Sequence, residues 1–389
     1  MHCTMEAAQR HACEPAYAPV PLVLPPRIWP CLLLSVLLVL GDALLTLLWF
    51  SQTTPTAGQQ QRFWIYALLP GCLLAGLAVS LRLAWYALWR LFCAVQQHTQ
   101  AQHHAWWLAF RQETACVYQS LLWGPVCHDM GSRDKLARDV HTDVPRATAG
   151  VLRMADILSA AQASAQQRLD AILLAFAKEL VAWLHSSPIR PRGFAWCGSG
   201  EDWVALRQLI QSEGLSLPEK PDMEGGMAML EYMIDRLHDE ALPANAILCM
   251  GVHAPTRDDS RTEPAGESAF ALLLGRGGKG IQLHRPVPLS SHIHVQRAQD
   301  NAALDAPPDG YLTANSKAAP LLDEANWQRI NNMQEDYWGK QGSHQAWITL
   351  LCAIDRVTIN ETSIGWFAEE NDAAWLGIVT QAPLTEGHE

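Results

Sequence analysis

The sequence predicts a two-helix transmembrane hairpin followed by a soluble α/β domain. Residues 28–50 and 63–92 form two apolar spans joined by a short polar stretch, 51–62. Tryptophans gather near the ends of those spans. From Gly193 onward, short apolar runs alternate with segments of helical periodicity, the pattern of layered helices and strands.

The hairpin comes first in the chain. A bilayer core takes roughly 20 consecutive, mostly apolar residues in a helix. The first span offers that length with a single ionisable residue, Asp42, and the second runs from Trp64 to Leu81 before Arg82 and Arg90. Trp29, Trp49, Trp64, Trp85 and Trp89 lie near the span ends, where amphipathic aromatics favour the membrane interface. Arg10, Arg27, Arg82, Arg90 and Arg111 flank the outer ends of the spans, against Arg62 alone in the loop. Basic residues favour the cytoplasmic side, so both termini are expected inside and the topology two-pass. A carboxylate within a span is costly unless paired. Arg82 falls at the opposite end of an antiparallel hairpin, so it is expected to snorkel, with Asp42 facing another helix or protonated. Residues 1–27 are irregular, and the apolar run after them starts too late for a secretory signal.

Composition narrows the function. A net charge of −11 without a Lys/Arg block excludes nucleic acid as partner. Ten cysteines stand singly, with no C-x-x-C, as free thiols of a reducing compartment do. The chain divides into an N-terminal segment 1–27, the hairpin 28–92, a mainly helical region 93–190 and an α/β domain 191–389.

The helical region is expected to leave the membrane as a helix reaching about residue 114. It carries His98, His103 and His104 ahead of Trp106 and Trp107, a spacing that gives only a weak metal pattern. Residues 113–124 are strand-like and end at Gly124-Pro125, a turn signal. Residues 133–146 read as a loop. Leu152, Ile157, Leu169, Ile172, Leu173, Phe176 and Leu180 then set an amphipathic pattern over 146–185, stopped by Ser186-Ser187-Pro188.

In the last segment the apolar runs 194–197, 246–252, 268–274 and 281–283 predict strands, with helices at 203–213 and 223–240. Helices follow at 324–336 and 345–354, then closing strands at 362–367 and 375–380. The glycine cluster from Gly275 to Gly280 is a hairpin turn, because Leu273 stands where a phosphate loop needs its first glycine. Cys197-Gly198-Ser199-Gly200 lacks the flanking glycines of a nucleophile elbow. His292 and His294 would point the same way on a strand and form a second weak metal pair. No resident metal or cofactor is expected.

Ile247-Leu248-Cys249-Met250-Gly251-Val252, followed by Pro264-Ala265-Gly266-Glu267-Ser268-Ala269-Phe270-Ala271-Leu272-Leu273-Leu274, resembles the thiolase-like fold of β-ketoacyl synthases. In that family a core strand ends in a Gly-Val pair and a Pro-Gly-Glu-Ala-Ala strand follows a loop. Gly251, Gly266 and Glu267 carry the resemblance, and Gly342-Ser343-His344-Gln345-Ala346 is loosely similar to the family's Gly-His segment. The likeness covers about 193–382. It implies a condensing enzyme with a nucleophilic Cys opening a buried helix and two basic partners. No Cys in such a setting precedes Ala246, so the expectation is a non-catalytic derivative; the alternative is a membrane-associated acyl-processing enzyme using Cys197 or Cys249 with His344. A membrane anchor joined to a thiolase-like body without its nucleophile resembles the adapter family encoded beside lipase effectors of bacterial type VI secretion. That resemblance implies an inner-membrane protein with a cytoplasmic body that recruits a lipase effector to the secretion spike protein.

Overall fold

The computed structural model describes residues 28–51, 57–140, 146–147, 150–154, 157, 164–239, 246–255, 264–278, 280–313, 319–330, 334–370 and 373–382. Segment 1–27 lies outside the described residues. The chain forms two compact units, Met1–Trp107 and Leu108–Glu389.

Long apolar runs give helix α1 (Ile28–Ser51) and the 55-residue helix α2 (Ala57–Arg111), which continues through Pro70-Gly71 and whose last four residues belong to the second unit. α2 begins inside the stretch read as loop and runs on past the span's end at Phe92 to Arg111, near the expected helix end at about residue 114, because Gln96 to His104 keep good helix formers in register. Within Leu68–Arg111 it is long and apolar enough to cross a bilayer, the one such helix among the described residues; α1 contributes the shorter apolar stretch Leu33–Trp49. Trp29, Trp49, Trp85 and Trp89 are exposed, whereas the Trp64 side chain lies outside the described residues.

Asp42 has a partner other than Arg82, which is exposed. α2 contains Pro70, which supplies no N–H and crowds the carbonyl one turn back. The next residue, Gly71, donates its N–H to Asp42 Oδ2 at 2.9 Å. A Cβ on Gly71 would stand 3.0 Å from Val39 Cα, so glycine is what lets α1 and α2 touch there.

The second unit is built on a ten-stranded mixed sheet with an additional two-stranded pairing. Its elements are β1 (Ala115–Trp123), α3 (Met130–Ala137), β2 (Val151–Leu152), α4 (Ala165–Ser186), β3 (Gly193–Cys197), α5 (Gly200–Ser212), β4 (Met223–Glu224), α6 (Ala228–His238), β5 (Ala246–His253), β6 (Ala265–Gly266), β7 (Ser268–Gly275), β8 (Ile281–Leu283), β9 (Val287–Pro288), α7 (His292–Asn301), β10 (Gly310–Thr313), α8 (Ala319–Glu324), α9 (Gln334–Trp338), a 3-10 turn at Gly342–His344, α10 (Gln345–Asn360), β11 (Ile364–Glu370) and β12 (Ala373–Gln381). The main order is β10-β11-β12-β8-β1-β7-β5-β3-β4, with β9 on β12; β2 pairs with β6.

This sheet redraws the expected boundary at 190/191. β1 lies between β7 and β8, so a strand from the region read as mainly helical forms the middle of the sheet. Of the amphipathic helix or pair of helices expected over 146–185, the described residues form α4. Ser164 caps it in a box with Gln167, and β2 precedes it. The helix expected over 223–240 begins at Ala228, because Met223 and Glu224 pair with β3. In place of a helix over 324–336 the chain forms α8 and α9 on either side of that stretch.

Helices cover both faces. Ile172, Phe176 and Leu180 of α4, with Trp203, Leu206 and Ile210 of α5, pack on one face against Leu248, Met250 and Leu273. Met233 and Ile234 of α6, with Trp347, Leu350 and Ile354 of α10, pack on the other against Cys197, Cys249 and Phe270. A third cluster gathers Leu289, Val295, Tyr311, Trp327 and Leu376 towards the β10 edge. α10 is buried on most of its surface, as a central helix of a layered α/β fold should be.

Candidate functional site

The site is built on three adjacent central strands. β3 and β5 run parallel with Cys197 opposite Gly251, and β5 and β7 run antiparallel with Gly251 opposite Phe270. Register neighbours share a face, so Cys197, Gly251 and Phe270 form one row facing α6 and α10. Two residues along β5 in either direction, Cys249 and His253 share that face.

Gly251 leaves the space that the row needs. A Cβ there would lie 2.6 Å from Phe270, 2.8 Å from the Cys197 carbonyl oxygen and 2.9 Å from His344 Cε1. Into that gap the 3-10 turn before α10 delivers the His344 ring, itself buried. His344 Nε2 donates to the Cys197 carbonyl at 2.8 Å. A carbonyl can only accept, so the imidazole is the Nε2–H tautomer, leaving Nδ1 to accept from Ser268 Oγ at 3.5 Å. His253 lies 5.3 Å from the His344 ring, and Phe270 meets that ring edge-on at 5.4 Å.

The electrostatics favour neutral groups. Burial pushes the Cys197 thiol up to about 12, with the Glu370 carboxylate adding to the rise. Cys249 is also raised, by burial and by its neighbour Cys197. Burial holds His344 down to about 3, His253 adding to the effect, despite its bond to the Cys197 carbonyl. A nucleophilic cysteine needs a thiolate, stabilised by a cation or helix N-terminus, and a general base needs a proton affinity near the working pH. Cys197 lies at the end of a strand with Ser343 O 3.8 Å from its sulfur, and His344 is already committed to the backbone. The structure therefore brings Cys197, Cys249 and His344 to one face of the sheet, where burial favours the neutral form of each.

A helix N-terminus does open on this face. β4 leads through Gly225, with φ of +146°, and Gly226 into α6. Met227 N–H, at that N-terminus, donates to Glu370 Oε2 at 2.6 Å, and Glu370 is 6% exposed. The end of β11 thus supplies a carboxylate where the fold offers backbone donors. Glu370, His253 and Ser268 were missed in the sequence; the available signals were a Gly-Gly pair ahead of a helix, an acidic end to an apolar strand, and a histidine ending a buried run.

The residues of the Pro-Gly-Glu segment have structural duties. A Cβ on Gly266 would stand 1.7 Å from the Trp338 carbonyl oxygen, so only glycine admits that close approach. Glu267 is buried against Arg168, whose Nε donates to Oε1 at 2.8 Å, and it also accepts from Met154 N–H at 2.9 Å.

The histidine pairs do not converge. His292 and His294 lie on α7, not a strand, so residues two apart point to different sides. His292 pairs with Glu324 at 2.7 Å, and His294 Nδ1 accepts from Ser290 N–H at 3.1 Å. His98 and His103 lie on α2, His98 beside Gln102. Among the described residues no group of three or more His, Cys, Asp or Glu is placed to hold a metal.

Neither a family model nor a curated protein matches the chain. Among solved structures, the ishigamide ketosynthase/chain length factor superposes with a TM-score of 0.52 at 11% identity, over 69% of this chain and 99% of that one. The body has a thiolase-like fold. A type II polyketide ketosynthase bound to its acyl-carrier protein and a hexaketide gives 0.46 at 12% identity, over 69% of this chain and 99% of that one. Human mitochondrial 3-ketoacyl-CoA thiolase in complex with CoA gives 0.45 at 8%, over 70% and 98%. At such identities the likeness concerns the fold.

Proposed function

We propose that the chain is a membrane-anchored, non-condensing thiolase-like protein whose body binds a protein partner. The observation that carries this reading is the Glu370 carboxylate, which takes the Met227 N–H at the start of α6 and adds to the rise of the buried Cys197 thiol. A condensing thiol and the oxygen of its acyl substrate both need such donors, and here a side chain of the chain itself takes them. The exposed leucines of α1 and α2 support the anchor, since contiguous apolar surface of that extent marks a membrane or partner contact. Recruitment of a lipase effector to a type VI secretion spike, from a two-pass inner-membrane position with the body in the cytoplasm, is one form of this role. Its support is architectural: an apolar anchor joined to a thiolase-like body without an activated nucleophile.

The second reading is an acyl-processing enzyme using Cys197 and His344. Likeness to a ketosynthase/chain length factor favours that class over the adapter at the level of fold. The two separate in one experiment: incubate the full chain in detergent with acyl-CoA and acyl-carrier-protein thioesters and measure intact mass. The proposal expects no adduct. A covalent acyl adduct that disappears in Cys197→Ala would establish the enzyme reading and end the non-condensing one.

A further inference from the structure

Glu370 meets the α6 N-terminus in a way that side-chain packing alone does not explain. One oxygen, Oε2, accepts from Met227 N–H at 2.6 Å. The other, Oε1, is buried and has no hydrogen-bond partner. A Cβ on Gly226 would fall 1.7 Å from Oε1, so the carboxylate reaches the backbone only because position 226 is bare. No cation accompanies this carboxylate among the described ion pairs, whereas Glu267, equally buried, has Arg168. Gly225 is in a left-handed conformation that turns β4 sharply into the helix. A glycine-floored turn, a helix N-terminal N–H and an inserted carboxylate are the parts of an anion site.

We propose that the N-terminus of α6 is a carboxylate-binding site which the chain fills with its own Glu370, and that it accepts a small free carboxylate once that side chain is removed. This deepens the non-condensing reading and rests on it, because a filled site excludes an acyl group from the same donors.

The test uses full-length chain in detergent, wild type and Glu370→Ala, melted in sodium acetate or in sodium chloride of equal ionic strength. In Glu370→Ala, acetate at ten times its Kd should raise Tm by about 3 °C over chloride, while wild type shows no difference. Glu370→Gln, which keeps the cavity filled, should also be indifferent to acetate. Equal melting of Glu370→Ala in the two salts overturns the proposal, as does an equal acetate effect on all three proteins. If Glu370→Ala is insoluble in chloride, its refolding yield becomes the readout: recovery specific to acetate supports the site, and no recovery overturns it. An acyl adduct on wild-type Cys197 would instead remove the non-condensing reading while leaving the acetate result standing.

Discussion

One flank of α6, from Glu231 in its first turn to His238 in its last, faces two buried arginines, while the N–H of Met227 that precedes the helix receives a buried carboxylate with no cation beside it among the described ion pairs. Arg111 pairs with Glu231 and donates to Asn301 Oδ1 at 3.2 Å. Arg285, with no exposed side-chain surface, pairs with Asp235 and with Glu113, donates to the Phe110 carbonyl at 3.0 Å and stacks over the Phe110 ring at 4.1 Å. His238, in the last turn, donates to the Thr114 carbonyl at 2.9 Å. These contacts tie the final turn of α2 and the approach to β1 to one side of α6. At Met227, ahead of the first turn, Glu370 relies on one backbone N–H and the helix dipole, and burial raises its pKa against that bond. The flank is arranged as a structural joint with matched charges. The N-terminus retains a cost that fold stability alone would have removed, which is where function is to be sought.

The joint should therefore be the more fragile of the two under mutation. Arg285→Ala leaves Asp235, Glu113 and the Phe110 carbonyl without their shared donor, and removing one partner of a buried pair costs about 3–5 kcal/mol. Chemical denaturation of the full chain should show that loss, with Arg285→Lys intermediate because an ammonium cannot fork between partners. A loss no larger than that of an exposed arginine such as Arg138 would show that the network is incidental.

Acid should act on both regions, through one buried histidine in the site and one beside the joint. His344 is held down to about 3 and His284, beside Asn301 O and Thr380, to about 4, both from an ordinary 6.5. The unfolded chain takes up these protons near 6.5 and the folded chain does not, so unfolding binds protons in that interval. The stability they contribute is complete above about 6.5 and falls with pH towards 4, by about 1.4 kcal/mol per pH unit for each proton. Denaturation measured from pH 6.5 to 4.5 should give a slope near two protons, reduced by about one in His344→Gln. An unchanged slope in that variant would mean that the folded protein protonates His344 readily.

Much of the sheet could be read from local pattern. Ala246–His253 and Ser268–Gly275 are continuous apolar runs because both of their faces are covered, and the pairing of Gly251 with its neighbours preserves the spacing seen in the sequence. The membership of β1 was hidden, since Ala115–Trp123 joins β7 more than a hundred residues downstream and its mixed polarity fits no simple alternation. Met223 and Glu224 carry helical spacing forward into α6, and only their pairing with Ala195 and Trp196 makes them strand. Glu370 was the least legible: Met227 lies 143 residues away, and Glu369-Glu370 at the end of a strand reads as a solvated tip. Asp42 posed the opposite problem. Its cost inside an apolar helix was plain, but its partner is a backbone amide beside Pro70, which no search for opposite charges would find.

The smallest expected effect is also the most direct measure of the uncompensated carboxylate. Burial raises the Glu370 pKa above the ordinary carboxylate value of 4.5, so between the two values the folded state holds a proton that the unfolded state has released. Wild-type stability from this group accordingly declines as pH rises through that window. The penalty is full above the folded pKa and absent below the unfolded one. Glu370→Gln keeps an acceptor for Met227 N–H but cannot ionise, so it lacks this term at every pH. Whatever constant cost its amide brings, the stability of Glu370→Gln relative to wild type should improve from pH 5 to pH 7.5, by about 1 kcal/mol or less. The same comparison at Glu267, where Arg168 already balances the charge, should run the other way: Glu267→Gln strands a buried guanidinium and loses stability at both pH values. A constant difference between Glu370→Gln and wild type across that range would place Glu370 with the matched charges and erase the distinction between the flank of α6 and its N-terminus.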